Sequence, residues 1–216
     1  MMRSGIEIKT APLLISGILL LGLCGCFEYS SLHTASMLCK KELQVVPECG
    51  ISRFRNPEYK STTIQTGFMA GYGLSKRVNL FIRYNYDYLR DYSLGIHYSS
   101  IETKVQLVKN RLAFIFPVAL YFGKNVQSTN GAHIQPSLII TRSAGESLKF
   151  SLIPKWILYI DGFHQLAGLN ANVRIGLLHN RVALIPEIGY FRRITAPDNF
   201  YHFTVGFDYH LPGETR

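Results

Sequence analysis

Charge is scarce in this sequence. Only 17% of its 216 residues are Asp, Glu, Lys or Arg, whereas globular proteins average ~25%. Because the chain also lacks low-complexity bias, the composition excludes a disordered tail protein. The mean hydropathy of +0.09 is too low for a polytopic helical membrane protein. Acidic residues are the scarcer sign, with 14 Asp and Glu against 23 Lys and Arg. A soluble nucleic-acid binder would normally carry more charge in total, so no nucleic-acid partner is expected.

Cysteine is also rare, with four in the chain. No CxxC pair and no His/Cys spacing indicates a metal site, so no metal and no cofactor are predicted. Cys39 and Cys49 are compatible either with a disulfide formed in an oxidising compartment or with two separate thiols.

The N-terminal segment has the pattern of an export signal. Basic residues Arg3 and Lys9 frame the start, and an apolar run follows over residues 11–23. The run is shorter than the ~20 residues of a spanning helix and suits a signal-peptide core. It ends in Leu-Cys-Gly-Cys, which resembles a bacterial lipobox with Cys26 as the lipid-bearing residue. We therefore predict a lipoprotein signal peptide over 1–25; the alternative is an ordinary secretory signal or an uncleaved anchor.

After about residue 44 the sequence alternates between apolar and polar residues with period two. In residues 78–88 Val, Leu, Ile and three Tyr share one parity, and Asn, Phe, Arg, Asn and Asp share the other. Residues 169–177 and 201–210 repeat this alternation. Such runs predict strands of a length that suits a tilted membrane-spanning strand. About ten are expected, at 44–54, 61–72, 77–88, 93–108, 111–122, 133–142, 147–159, 167–177, 181–192 and 200–210. A change of parity in the fourth predicts a β-bulge near Ser99 and Ser100.

The connections between these strands alternate between tight basic turns and longer polar loops. In outer-membrane barrels the short turns are periplasmic and the longer loops extracellular. An even number of strands then puts both the N-terminus and the C-terminus in the periplasm. The predicted organisation is a signal peptide over 1–25, a lipid-anchored periplasmic entry segment over 26–43, a barrel over 44–210 and a tail over 211–216.

A soluble β-sandwich or lipocalin-like barrel would also alternate, so a second observation is needed. The polar faces here hold little charge and many small residues, which suits the inside of a narrow barrel. The apolar faces end in aromatic residues such as Tyr88, Trp156 and Tyr209, as membrane interfaces favour. The predicted fold is an all-β, antiparallel, up-and-down transmembrane β-barrel of about ten strands in a Gram-negative outer membrane.

Two segments resemble a known family. The run Ser-Leu-His-Thr-Ala-Ser-Met-Leu at 31–38, with 40–45 after it, is similar to the entry segment of uncharacterised bacterial outer-membrane β-barrel lipoproteins. In that family a hairpin of the form RYGL…R..L follows, and here 71–74 and Arg77 correspond to it. The resemblance implies an outer-membrane lipoprotein and brings no agreed activity.

Charged residues on the inward parity are the candidate functional residues. The predicted lumen charges are Arg83, Glu102, Lys104, Lys155, Arg174, Glu187 and Asp208, with Asp87 and Lys149 on the same faces. Because an unpaired buried charge is expensive, we expect them to pair across the lumen. The simplest interpretation is a structural barrel that is filled by salt bridges; the alternative is a narrow solute channel or small-ligand-binding barrel.

A third alternative is a membrane-embedded hydrolase acting on lipid or peptide. Asp208 and His210 share a face, as acid/base catalysis requires. The predicted topology, however, places them at the periplasmic end. No catalytic residue is therefore assigned.

Basic residues near the outer ends of the strands suggest a lipid partner. Arg192 and Arg193 are candidate contacts for lipopolysaccharide phosphates, to which they would donate charge-assisted hydrogen bonds. An ordinary solvated rim is the alternative. Membrane lipid is thus the predicted partner, and the sequence does not specify an oligomeric state.

Overall fold

The structure is a computed structural model that describes residues 30–55, 60–123, 131–160, 165–178, 181–194 and 198–211. They form a closed antiparallel β-barrel with ten strand positions, which confirms the predicted fold class. The strands are β1 (Leu43–Arg55), β2 (Lys60–Gly73), β3 (Val78–Leu89), β4 (Leu94–Val108), β5 (Leu112–Phe122), β6 (Ala132–Ile134), β7 (Ser137–Ser143), β8 (Leu148–Tyr159), β9 (Gln165–Leu177), β10 (Val182–Arg193) and β11 (Asn199–Leu211).

The barrel closes because each strand position pairs with two neighbours. β1 pairs with both β2 and β11, and β4 pairs with β5. The short strands β6 and β7 together fill one position between β5 and β8. Between them lies Pro136, which has no N–H to donate to a ladder. Closure removes the exposed edges that an open sheet would present.

The two ends of the barrel differ in their connections. One end, here called the turn end, carries the connections β2–β3, β4–β5, β7–β8 and β9–β10. The other, the loop end, carries the connections β1–β2, β3–β4, β5–β6, β8–β9 and β10–β11, and β3 is followed there by a 3₁₀ turn at Arg90–Tyr92. Leu43 pairs with Leu211, so β1 starts and β11 finishes at the turn end.

The polarity of the barrel wall is the reverse of that of a soluble protein. On β3 the outward Leu80, Ile82 and Tyr84 are 36%, 52% and 36% exposed, whereas Arg83 and Asn85 are buried. Trp156, Tyr190, Tyr201 and Tyr209 also face outward. An apolar outer surface around a polar interior is the arrangement of a transmembrane barrel. Within the described ranges no helix is long and apolar enough to cross a membrane.

The interior is filled by the chain that precedes β1. Residues 30–38, here called the plug, run inside the barrel, and Ser30 to Ala35 are all buried. A turn over 39–42 joins the plug to β1 at the turn end, where Lys41 N–H donates to the Gly73 carbonyl (2.8 Å) and Gly73 N–H to the Glu42 carbonyl (3.0 Å). The sequence analysis treated 26–43 as an entry segment and did not predict this placement. The proposed signal peptide, Cys26 and residues 212–216 lie outside the described residues.

The predicted bulge at Ser99 and Ser100 is wrong. β4 pairs with β3 in one unbroken register, and its irregularity against β5 lies between Gln106 and Val108. The inward parity of β4 does not change from Ile96 to Lys104. Ile96 and Tyr98 face inward, where they pack with Ala119 and Tyr121 of β5 in a buried cluster.

Candidate functional site: the occupied barrel interior

All seven predicted lumen charges lie inside the barrel. The exposed fractions are at most 6% for Arg83, Glu102, Lys104, Lys155, Arg174, Glu187 and Asp208, and Asp87 is buried as well. They lie on six different strands, whose inward parity brings their side chains together. The structure divides them into ion-paired groups and groups that bind the plug.

The first group is a buried charge cluster at mid-barrel. Arg83 Nε lies 3.3 Å from Glu102 Oε1 and 3.8 Å from Glu48 Oε1. Ser100 also donates to Glu102 Oε1 (3.0 Å), and the other oxygen, Oε2, lies 2.8 Å from His33 Nε2 of the plug. Such mutual pairing makes a buried charge tolerable, since an isolated one would be costly.

Arg83 also binds the plug, together with Lys155. Arg83 donates from Nη1 to the Ser30 carbonyl (3.0 Å) and from Nη2 to the Ser31 carbonyl (2.8 Å). Lys155 Nζ donates to the same Ser30 carbonyl (2.9 Å) and to Gln135 Oε1 (3.0 Å). Two cations from different strands therefore fix the N-terminal end of the plug.

Glu187 is the acceptor that matches these donors. Its two oxygens accept the N–H groups of Ser31 (2.7 Å) and Leu32 (2.9 Å). The side-chain amides of Asn170 and Asn172 donate to the same carboxylate at 3.1 and 3.0 Å. Charge-assisted bonds of this kind are about twice as strong as neutral ones. The buried Glu187 carboxylate is thus stabilised by N–H donors from the plug backbone and from asparagine amides. None of these four donors is a basic side chain.

Further along, the plug is held by wall residues closer to the turn end. Lys104 Nζ donates to the carbonyls of Thr34 (3.1 Å) and Ser36 (2.8 Å). Thr141 Oγ1 accepts the Ala35 N–H (2.8 Å), and Gln106 donates to the Ala35 carbonyl (3.2 Å). Asn172 reaches the His33 carbonyl (3.1 Å) and Lys149 the Ser36 hydroxyl (2.8 Å).

Apolar contacts complete the fit of the plug. Leu32 and Leu38 join a buried cluster with Val46, Met69, Phe81 and Ile185. Ala35 lies in a second cluster with Ala113, Ile115, Ile139 and Ile153. Gly206 leaves space for Leu32, since a Cβ there would lie 2.7 Å from Leu32 Cδ1.

A second ionic group lies at the turn end. Arg174 Nε is 2.8 Å from Asp208, Gln44 donates to Asp208 at 2.6 Å, and His210 bridges Asp208 (3.0 Å) and Glu42 (2.6 Å). Burial alone would raise the pKa of the Glu42 carboxyl. The hydrogen bonds from His210 and from the Cys39 N–H outweigh burial and hold that pKa below its usual value.

Beside this ionic group is a cavity of about 630 Å³, lined by the plug, Lys104, Lys149 and Arg174. Asp208 and His210, the pair considered for acid/base chemistry, border it while bonded to Arg174 and Glu42. Their described bonds tie β11 to β9 and to the turn before β1. Over the described ranges no three His, Cys, Asp or Glu side chains are arranged to hold a metal ion. Neither Cys39 nor Cys49 takes part in a disulfide there.

One side of the interior toward the loop end is aromatic, whereas β1, β2 and β3 present buried polar residues such as Ser52, Gln65 and Asp87 there. His133 stacks on Tyr121 (5.0 Å between ring centroids) and lies near Tyr98 and Tyr159. His133 Nδ1 donates to the Gly131 carbonyl at 2.9 Å. Phe191, Phe200, Ile157 and Leu166 form a neighbouring cluster. This packing fills part of the interior between the plug and the loop end.

The two candidate lipopolysaccharide contacts, Arg192 and Arg193, lie on opposite faces of β10. Arg192 is exposed and follows Tyr190 on the outward parity. Arg193 has the opposite parity and is ion-paired with Asp198 at 2.8 Å. Of the two, only Arg192 therefore lies on the outward face of the barrel.

Sequence reasoning missed Glu48, His33 and the plug backbone. Glu48 shares the inward parity of β1, so the alternation contained a signal for it. The plug has no such periodicity. Its hydrogen bonds to the wall involve mainly main-chain atoms, which are the same for every residue type and so leave no signal in the sequence.

These features define a transmembrane β-barrel whose interior is occupied by its own chain. No family model and no curated protein matches the sequence. An outer membrane channel from Pseudomonas putida F1 is similar in structure, with 10% identity, a TM-score of 0.48 and coverage of 82% of this chain and 98% of the channel. The outer membrane protease OmpT from Escherichia coli has 10% identity, a TM-score of 0.48 and coverage of 84% and 100%. The translocator domain of the autotransporter NalP from Neisseria meningitidis has 8% identity, a TM-score of 0.46 and coverage of 93% and 97%. These identities are too low to transfer an activity.

Proposed function

We propose that this chain is a bacterial outer-membrane β-barrel whose interior is closed by its own N-terminal plug, and that its resting role in the membrane is structural. One observation carries the proposal: the plug lies inside the barrel and is bonded to side chains of six strands. Water and small solutes would have to displace buried, hydrogen-bonded backbone in order to cross. The aromatic packing toward the loop end supports the same conclusion.

Conductance across a planar lipid bilayer tests this role. We expect the full chain to give no stepwise current. The double variant Arg83→Ala with Glu187→Ala, which removes bonds to the plug backbone, should conduct. Arg193→Ala is the matched control, because it also breaks an Arg–carboxylate pair but touches no plug residue.

Folding of each variant is read from heat-modifiable migration on gels. If the double variant does not fold, Leu32→Gly offers a second way to loosen the plug. Steady current from the full chain, equal to that of the variants, would refute a closed resting barrel.

A narrow solute channel is the second candidate, and the cavity at the turn end favours it. Its lining combines basic residues (Lys104, Lys149 and Arg174) with acidic ones (Glu42, Glu146 and Asp208), which would suit a small polar solute that enters when the plug shifts. In that case the full chain conducts, and Lys155→Ala or Arg174→Ala changes the current. Hydrolysis is the third candidate, and His210-dependent turnover of phospholipid or peptide would be its signature.

Lipid attachment at Cys26 and an outer-membrane location with both termini in the periplasm are further parts of the proposal. They rest on the lipobox-like sequence and on the distribution of turns and loops. Mass spectrometry of the mature N-terminal peptide tests the first. A diacylglyceryl mass that disappears in Cys26→Ser supports it, and an unmodified peptide beginning elsewhere refutes it.

Lipopolysaccharide binding at the loop end is proposed for Arg192. The exposed guanidinium beside Tyr190 suits a phosphate at the membrane interface. We expect Arg192→Glu to reduce co-purification of lipopolysaccharide. Arg193→Glu is the control, because Arg193 already pairs with Asp198. Equal co-purification in both variants and the wild type would end the idea.

A further inference from the structure

The barrel wall recognises the plug mainly through its backbone. Carbonyls of the plug accept bonds from wall side chains at Ser30, Ser31, His33, Thr34, Ala35 and Ser36. Backbone N–H groups at Ser31, Leu32 and Ala35 donate to Glu187 and Thr141. Most donors to the carbonyls are cationic or amide groups, and the main acceptor of the N–H groups is anionic. This charge pattern matches the polarity of a peptide backbone.

The shape of the bound backbone is specified as well. Two consecutive N–H groups can face one carboxylate only where the backbone bends. Leu32 provides that bend with a φ of +49°, a left-handed conformation that is unfavourable for a non-glycine residue. The interior therefore imposes a conformation on the plug.

Side chains of the plug add limited selectivity. Leu32 fills space beside Gly206 and Val46, and Ala35 is fully buried in a cluster of aliphatic residues. Ser31 and Ser36 contribute hydroxyl contacts to Asn170 and Lys149. An apolar residue followed three positions later by a small one is thus the required pattern.

We propose that the barrel interior is a peptide-binding site, which the plug occupies in cis and which accepts a separate peptide of the same pattern in trans. This inference rests on the proposed function only in that both need the plug inside the barrel. The ligand class is a short peptide that is recognised through its backbone. An apolar residue takes the position of Leu32 and a small residue that of Ala35.

The turn that joins the plug to β1 makes the site testable in the folded full chain. Lys40 and Lys41 are exposed there. A recognition sequence for a specific protease, inserted between them, allows the plug to be cut from a barrel that has already folded. The cut barrel is then incubated with an excess of a labelled synthetic peptide of residues 30–40, and retained peptides are identified by native mass spectrometry.

We expect the cut plug to stay bound and to be replaced over time by the labelled peptide. A peptide with N-methyl groups at Ser31 and Leu32 should bind at least about tenfold more weakly, since it cannot donate to Glu187. The matched control peptide with Met37→Ala keeps the backbone, changes a side chain that makes none of the bonds described above, and should bind within about threefold of the wild type.

Three results would overturn the inference. They are loss of the cut plug with no labelled peptide retained, failure of the labelled peptide to enter the barrel, and replacement of the plug by the N-methylated peptide as readily as by the control peptide. Conductance of the uncut barrel is measured in parallel. Current from the uncut barrel refutes the closed resting state, while peptide retention still reports on the binding site.

Discussion

At the scale of single residues, Glu187 determines how the plug is held. Its carboxylate accepts two plug N–H groups and two asparagine amides in a buried setting. A buried donor that loses its acceptor costs about 1–3 kcal/mol. One side chain therefore influences the stability of the plug and of strands β9 and β10 together.

Replacing Glu187 with alanine should lower the free energy of unfolding by roughly 3 kcal/mol, because four buried donors lose their acceptor. Urea unfolding in lipid vesicles measures the change. Arg193→Ala, which removes a partly exposed ion pair, should cost no more than about 1 kcal/mol. Equal losses in the two variants would contradict the role given to Glu187.

Glu42 makes the turn end sensitive to acid. Its pKa lies below the ordinary value of 4.5 in the folded protein, so its contribution to stability is complete above that value and is lost as pH falls through the folded pKa. We expect wild-type stability to decline below about pH 4.5 more steeply than that of Glu42→Gln. Unfolding curves measured from pH 7 to pH 3 compare the two. Parallel pH profiles would show that Glu42 is not held by His210 and Cys39 as described.

At the scale of elements, the alternation of β3 predicted both of its faces correctly. Tyr84 faces outward, and Arg83 and Asn85 face inward. Period-two patterning works there because lipid and a polar interior demand opposite side chains. The same rule failed on β4, where Ile96 and Tyr98 face inward into a local cluster with Ala119 and Tyr121.

The plug shows where sequence reasoning stops. Its fit depends on wall side chains from distant strands, and they bind backbone atoms that carry no sequence signature. The wall charges themselves were predicted from parity. The partners of these charges could not be predicted. Pairing between charges was expected, but Lys104, Lys155 and Glu187 bind the backbone of the plug.

Gly206 on β11 tests the packing between strand and plug. A Cβ at this position would lie 2.7 Å from Leu32 Cδ1 and 2.9 Å from Val46 Cγ1. Gly206→Ala should therefore loosen the plug and speed hydrogen exchange at the amides of Ser31, Leu32 and Ala35. Adding Leu32→Ala should recover part of the protection, because it removes the nearer contact. Unchanged exchange in Gly206→Ala would contradict the close packing.

At the scale of the whole molecule, low charge and an excess of basic residues have one explanation. The outer face of the barrel is apolar, the inner charges are few and are bound by partners or by plug backbone, and several basic residues remain in turns and at the rim. The plug is the feature on which the closed state and the peptide site both depend. Its position inside the barrel is the central claim.

Disulfide trapping in the membrane-inserted protein tests that position most directly. Leu32→Cys combined with Gly206→Cys, in a background with Cys39→Ser and Cys49→Ser, places two thiols where Leu32 now contacts β11. Leu32→Cys with Val205→Cys is the matched control, because Val205 lies one residue away on the outward parity. We predict a disulfide-linked peptide containing residues 32 and 206 by mass spectrometry, and none for the control. No link between 32 and 206, in a barrel that is folded and oxidised, would contradict the plug.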